Sequence, residues 1–158
     1  MITQKHRGIA VGGTFDTIHA GHRNLIERAF STGAFVFIGL TSDEYVSKAG
    51  KKIEHDFQTR KAQLESFLLK NYPSTKYIIV RLDDRFGPGI FTSSVEAIVV
   101  STETLPVVEE ANKRRRSVGL PDLKVEVVPI SLAEDGKRIS GTRIRAGEID
   151  SEGHLRQH

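Results

Sequence analysis

Hydrophobic residues fall in two rhythms along the chain, and the rhythm changes at regular intervals. Short, nearly unbroken apolar runs occupy Gly8–Gly13, Ala34–Leu40, Lys76–Leu82, Ala97–Val100 and Val125–Ile130. Runs of that length, closed by glycine or polar residues, predict strands covered on both faces, as in a parallel sheet. Between them the apolar positions recur at helical spacing. Leu25, Ile26, Ala29 and Phe30 form one stripe in Ala20–Thr32, with Gly33 as the expected C-cap. Leu64, Phe67 and Leu68 form another in Gln58–Asn71, which Pro73 ends. A helix over Glu103–Val118 is expected to turn Val108, Ala111 and Val118 inward. Thr41-Ser42-Asp43-Glu44 reads as a helix start with an acidic first turn, and Ile139–Glu148 predicts a short last helix. Lys48–Asp56 and Asp83–Gly89 read as loops, the first of them mobile, and the polar tail from Asp150 is expected to fray.

Strands alternating with helices predict an α/β fold with right-handed crossovers. The expected architecture is a Rossmann-like five-stranded parallel sheet with helices on both faces and a short C-terminal helical segment. A chain of 158 residues suits one such domain, spanning residues 1–158. Sheets of this kind take ligands at the carboxyl ends of their strands, where the strand order reverses. Gly12–His22 follows the first strand and Ser101–Glu103 the fourth, so the two segments are expected to face each other.

Composition narrows the setting. The apolar and charged fractions, 38% and 27%, are those of a soluble globular protein. The apolar runs are too short to cross a bilayer, and the first residues lack the apolar core of a signal peptide. With no cysteine, disulfides and thiolate metal sites are excluded, and a cytoplasmic setting fits. A net charge of +3 suits a small polyanion as well as a nucleic acid. The basic run Lys113–Arg116 points around its helix at about 100° per residue, so it reads as a solvated face rather than a nucleic-acid patch.

The chemistry concentrates at Val11–His22, V-G-G-T-F-D-T-I-H-A-G-H. Gly12 and Gly13 let a phosphate approach the backbone closely, and the next helix aims its free N–H groups at the same place. His19 and His22, at i and i+3, share one side of its first turn. A core histidine and a capping histidine are the plain alternative; a zinc pair would need i, i+4 spacing. A second phosphate-type segment is Ile139-Ser140-Gly141-Thr142-Arg143-Ile144-Arg145. Ser140 can cap a helix, Thr142 and the amides behind it can bind phosphate, and Arg145 offers a planar fork. Taken alone this segment reads rather as a capped surface helix with solvated arginines; beside the first signature the phosphate reading prevails.

Gly13–His22, G-T-F-D-x-x-H-x-G-H, resembles the H-x-G-H signature of the nucleotidylyltransferase superfamily, and Ile139–Arg145 resembles its I-S-S-T-x-x-R motif, with Gly141 in place of serine. Thr41–Lys52, Leu82–Gly89, Val99–Thr104 and Asn112–Leu120 resemble the archaeal and eukaryotic phosphopantetheine adenylyltransferase family. That resemblance, from Gly8 to Arg145, implies transfer of AMP from ATP to 4′-phosphopantetheine, giving dephospho-coenzyme A and pyrophosphate. It implies His22, His19 and Lys48 as catalytic residues. It implies ATP contacts from Gly13, Thr14, Phe15, His19, His22, Ser101, Glu103, Ile139, Ser140, Thr142 and Arg145, with Asn112 and Arg115 added from one helix face. Thr14, Asp16, Lys48 and Asp83 are the expected acceptor contacts, with Lys51 and Lys52 as rivals of Lys48. Mg²⁺ is expected with ATP, held by phosphates and water, with no metal site built by the protein. The expected ligands are ATP, 4′-phosphopantetheine, dephospho-coenzyme A and coenzyme A, with no nucleic acid or membrane partner and a monomeric state. The alternatives are another acceptor (nicotinamide mononucleotide, flavin mononucleotide or glycerol phosphate) and a nucleotide-sensing module without chemistry.

Overall fold

The computed structural model describes residues 5–87, 90 and 92–156; Pro88 and Gly89 of the second expected loop lie outside them. Its elements are β1 (His6–Gly13), α1 (Ala20–Thr32), β2 (Gly33–Thr41), α2 (Asp43–Lys48), α3 (Phe57–Asn71), β3 (Tyr77–Leu82), β4 (Ala97–Ser101), α4 (Val107–Ser117), β5 (Lys124–Val128) and α5 (Gly141–Arg145). Five strands form one sheet in the order β3-β2-β1-β4-β5, and every pairing is parallel. The order reverses between β1 and β4, as expected.

Alternation along the strands divides the core. Ile9, Val11, Val36, Ile38, Leu40 and Val99 face one side, where Ile26, Ala29 and Phe30 of α1 and Leu64 and Leu68 of α3 close over them. Burying side chains of this size contributes about 1.5–3 kcal/mol each. Ala10, Phe37 and Ile98 face the other side, against Ala111 and Val107 of α4 and Phe86, Ile90 and Val95 of the segment before β4. Helices therefore lie on both faces, although the described residues between β3 and β4 form no α-helix. A third, smaller cluster of Ala133, Ile139 and Ile149 packs against Ala20 and Ile144, tying the end of the chain to the start of α1.

The structure corrects four local expectations. α4 begins at Val107 rather than Glu103, because Ser101–Thr104 close a side-chain-bonded turn and Pro106 takes the N-cap place. Val118, one residue past α4, is 59% exposed. The tail does not fray through residue 156. Ile149 is fully buried, Ser151 C=O accepts Ala20 N–H at 3.0 Å, and Arg23 pairs with Glu152. The loop after α2 is exposed at Ala49–Lys52, yet Glu54 and His55 are fastened by side-chain hydrogen bonds.

Candidate active site

β1 delivers its carboxyl end to the point of reversal, and α1 starts there. His19 is the N-cap of α1 in an extended conformation, as a cap requires. Its Nδ1 accepts Gly21 N–H at 3.1 Å, and His22 Nδ1 accepts His19 N–H at 3.3 Å, a capping box made of two imidazoles. Only glycine fits between them: a Cβ on Gly21 would meet His19 Cε1 at 2.9 Å. With Nδ1 accepting, a neutral His19 carries its proton on Nε2 as a donor.

The two rings stack, with centroids 3.8 Å apart. Under His22 lies Phe15, fully buried, its ring centroid 4.9 Å away. Phe15 holds φ +50°, a left-handed backbone rare for so bulky a residue. The sharp backbone turn is made here and not at Gly12 or Gly13, neither of which has positive φ. Phe15 thus supports a histidine from below; its buried ring is closed to ATP, which leaves only its backbone for the expected contact.

Both imidazoles are neutral at pH 7. Burial, with Arg138 and Arg23 nearby, pushes His19 down to about 4. Burial and the neighbouring His19, with Arg138 and Lys51, push His22 down to about 3, against the opposing pull of the Thr17 carbonyl. The site therefore sets uncharged rings in a field of cations. Arg138 is the cation that sequence reasoning passed over as a site residue, while Lys51 stood there only as a rival of Lys48. Arg138 directly precedes the second motif, and that adjacency was the available signal. Lys48 sits exposed in the last turn of α2, and Lys51 is the lysine whose charge is felt at His22.

Asp16 joins the two motifs. Its carboxylate accepts Glu54 N–H (2.9 Å), His55 N–H (3.0 Å), His55 Nδ1 (3.1 Å) and Arg145 Nη1 (3.1 Å). Desolvation opposes ionisation, and these donors overcome it, holding the carboxyl below its ordinary range. A carboxylate with all its lone pairs engaged and only 6% exposed is not an acceptor contact, which corrects that expectation. Arg145 is drawn inward: Nη1 binds Asp16, while Nη2 reaches Lys52 C=O and Thr142 Oγ1 at 3.4 Å each. Its fork serves the join between motifs rather than standing open for phosphate.

Asn112 and Arg115 are also corrected. α4 leaves the carboxyl ends of the strands and runs back past their amino ends, carrying both residues away from the site. Asn112 Oδ1 accepts Leu123 N–H at 2.8 Å, just before β5. Arg115 is 1% exposed and donates to Pro121 C=O (2.8 Å), Ile90 C=O and Thr92 C=O. Ile139 is buried too, and Ser131 C=O takes its N–H at 3.1 Å. Neither that side chain nor that N–H is free for a ligand.

The remaining expected residues lie around the mouth. Thr14 Oγ1 accepts from Thr41 Oγ1 at 3.0 Å, beside the partly exposed Gly13. Ser140 caps α5 through Arg143 N–H, and Thr142 is exposed two residues on. Ser101 ends β4, and Glu103 pairs with Arg138 at 2.9 Å, which carries the β4 end across to the second motif. Asp83 stands in solvent paired with Arg81, and nothing links it to the histidines. A cleft of about 450 Å³ opens beside Gly21 at Ser131 and runs between α1 and Val128–Ser131. A narrower apolar hollow of about 80 Å³, floored by Gly12 and Gly39 and roofed by Leu82 and Phe86, lies beyond Gly13. Among the described residues no three His, Asp or Glu side chains group to hold a metal.

Paired imidazoles on a helix start, at the reversal point of a parallel sheet, suit a nucleotidyltransferase, and the match of residues 10–147 to the cytidylyltransferase-like family places the chain in that class. Within that class, the chain belongs to the phosphopantetheine adenylyltransferase family. It is 44% identical over 152 residues to the phosphopantetheine adenylyltransferase of Methanothermobacter thermautotrophicus, covering 96% of this chain and 91% of that protein. It is 41% identical to that of Methanopyrus kandleri, covering 92% of each. Among solved structures it is similar to a protein of unknown function from Archaeoglobus fulgidus, with TM-score 0.67 and 28% identity over 76% of this chain and 87% of that one. No helix among the described residues is long and apolar enough to cross a membrane.

Proposed function

We propose that the chain transfers AMP from ATP to 4′-phosphopantetheine, giving dephospho-coenzyme A and pyrophosphate, a step of coenzyme A biosynthesis. The single observation that carries the chemistry is the stacked, neutral His19–His22 pair capping α1 at the switch point. An oxygen of the acceptor phosphate forms a bond to the α-phosphorus, and the bond from that phosphorus to the bridging oxygen of pyrophosphate breaks. The attacking phosphate is already an anion at neutral pH, so no general base is required. Catalysis is then positioning and charge stabilisation. His22 donates to the α-phosphate in the transition state. His19 Nε2–H, Ser140 and Thr142 hold the outer phosphates, and Arg138 adds charge there. Thr14 orients the acceptor phosphate.

The lysine that bridges both phosphates is Lys51 in this reading, in preference to Lys48: its backbone N–H is held by Val46 C=O at 3.2 Å on the loop that Asp16 fastens, whereas Lys48 ends α2 exposed. The cleft beside Gly21 takes the nucleoside, its size being that of ordinary ligand pockets. The hollow under Leu82 and Phe86 takes part of the apolar pantetheine arm. Mg²⁺, arriving with ATP, would supply neutralisation of phosphate charge; with Asp16 engaged, phosphates and water would hold it. The reading includes a cytoplasmic monomer. Its exposed large apolar side chains, such as Leu69, Ile78 and Leu132, are scattered over separate segments rather than clustered on one element.

Pyrophosphate release from ATP and Mg²⁺ decides the substrate, with 4′-phosphopantetheine, nicotinamide mononucleotide, flavin mononucleotide and glycerol phosphate in separate reactions. Release only with the pantetheine acceptor is expected. Release with another acceptor keeps the histidines and replaces the substrate, and silence with ATP still bound makes the protein a sensor. His22→Ala is expected to lower turnover on the order of 100- to 1,000-fold, the usual loss for one transition-state donor; near-normal turnover removes its role.

A further inference from the structure

We propose that Arg60 is a positioning residue of this active site: it locks the lysine-bearing loop to the phosphate-binding turn, so that Lys51 meets the reacting phosphates in one fixed place. The proposal rests on the reading in which Lys51 acts.

Arg60 lies in the first turn of α3 and is fully buried. Its guanidinium binds four separate segments. Nε donates to His55 C=O at 3.0 Å, where the loop ends. Nη1 donates to Thr14 C=O at 3.0 Å, in the turn between β1 and α1, and to Thr41 C=O at 2.8 Å, where β2 ends. Nη2 donates to Asp43 Oδ1 at 2.7 Å, in the first turn of α2. Asp16 grips the same residue by its other peptide group, accepting His55 N–H while Arg60 takes His55 C=O. At the loop's other end Lys51 N–H is held by Val46 C=O at 3.2 Å. The His55 end is thus referred directly to the Thr14–Asp16 turn, and the Lys51 end to α2, which Arg60 ties to that turn through Asp43; Lys51 is itself an anchored residue and Lys52 follows it.

Elementary energetics makes this an unusual use of a core position. A buried guanidinium suffers a desolvation cost of several kcal/mol that an apolar side chain in the same place avoids. Its return is geometric: a planar fork with rigid donors can register three carbonyls at once, and a lysine cannot. The carbonyls chosen belong to the elements that flank the reaction.

The test is a double-mutant cycle on the full chain, with Arg60→Lys, Lys51→Ala and the double variant assayed for kcat and KM for ATP. Arg60→Lys is expected to lower kcat on the order of 100-fold while KM for ATP stays within about twofold, as for a misplaced catalytic group. The double variant is expected to be no slower than the slower single variant. Multiplying effects, or a loss confined to KM, overturn the proposal. If Lys51→Ala alone keeps its turnover, the lysine reading fails by itself. Limited trypsin digestion then decides the anchoring. Arg60→Lys is expected to speed cleavage after Lys51 and Lys52 by about tenfold or more with no new cut elsewhere, the mark of local opening; unchanged cleavage overturns it. Asp16→Asn loosens the same residue at its N–H and carries the same cycle and digestion if Arg60→Lys does not melt cooperatively.

Discussion

Two imidazoles stacked at 3.8 Å tolerate each other because neither is charged. In an unfolded chain they titrate near 6.5; here they are held at about 4 and about 3. Between those limits the unfolded state binds more protons than the folded one, so stability rises with pH across that window. The contribution is complete above about pH 6.5 and is lost as pH falls towards 4 and 3. The melting temperature is expected to drop on acidification from pH 7 to 4, and to drop less in His22→Asn; equal slopes in the two proteins would contradict the assignment. Asp16, held below 3.8, acts in the same direction but loses its contribution in a lower window. Polyphosphate reverses the preference, since an anion beside a ring favours its protonated form. ATP binding near pH 5 is therefore expected to take up protons, which calorimetry in buffers of different ionisation enthalpy measures; buffer-independent heats would refute it. Phe15 carries the strained backbone beneath His22. Removing its ring in Phe15→Ala is expected to cost about 3–5 kcal/mol, as for other buried aromatics, readable in a denaturant melt.

The elements differ in how openly the sequence declared them. α1 was legible to the residue, because a four-position apolar stripe, two histidines at its start and a glycine at its end all agreed. The strands were legible from their unbroken apolar runs, within a residue or two at each end. α4 was legible in existence and wrong in use. Asn112 and Arg115 share a helix face, which spacing shows. Which end of the sheet that face meets depends on where Pro106 starts the helix and on the loops before β4 and β5, and spacing does not contain that. Arg115→Ala accordingly is expected to lose about 3 kcal/mol by stranding buried carbonyls, with KM for ATP unchanged in a thermal-shift and kinetic comparison; a raised KM would restore the nucleotide role. Asp16 and Arg145 were picked out correctly as members of two motifs. Their binding to each other, 129 residues apart, was hidden because one-dimensional patterns carry no record of which charges meet. Arg60 sat unremarked inside an ordinary helical stripe, since a buried arginine and an exposed one read alike.

Taken as a whole, the molecule places its chemistry where the parallel sheet reverses and then closes that place with its last described residues. The sheet, α1 and α3 can assemble from contacts among earlier residues. The phosphate site cannot. Its turn is held by Arg145 through Asp16, its charge comes partly from Arg138, and the first N–H of α1 is taken by Ser151. A chain emerging from the ribosome folds from its N-terminal part first. Sheet and site are therefore separable: the strands can pair before the site is complete, and the first amide of α1 stays without a protein partner until residues around 150 pack against it. Loosening that later stretch leaves a molecule that is folded in its sheet and unmade in its site.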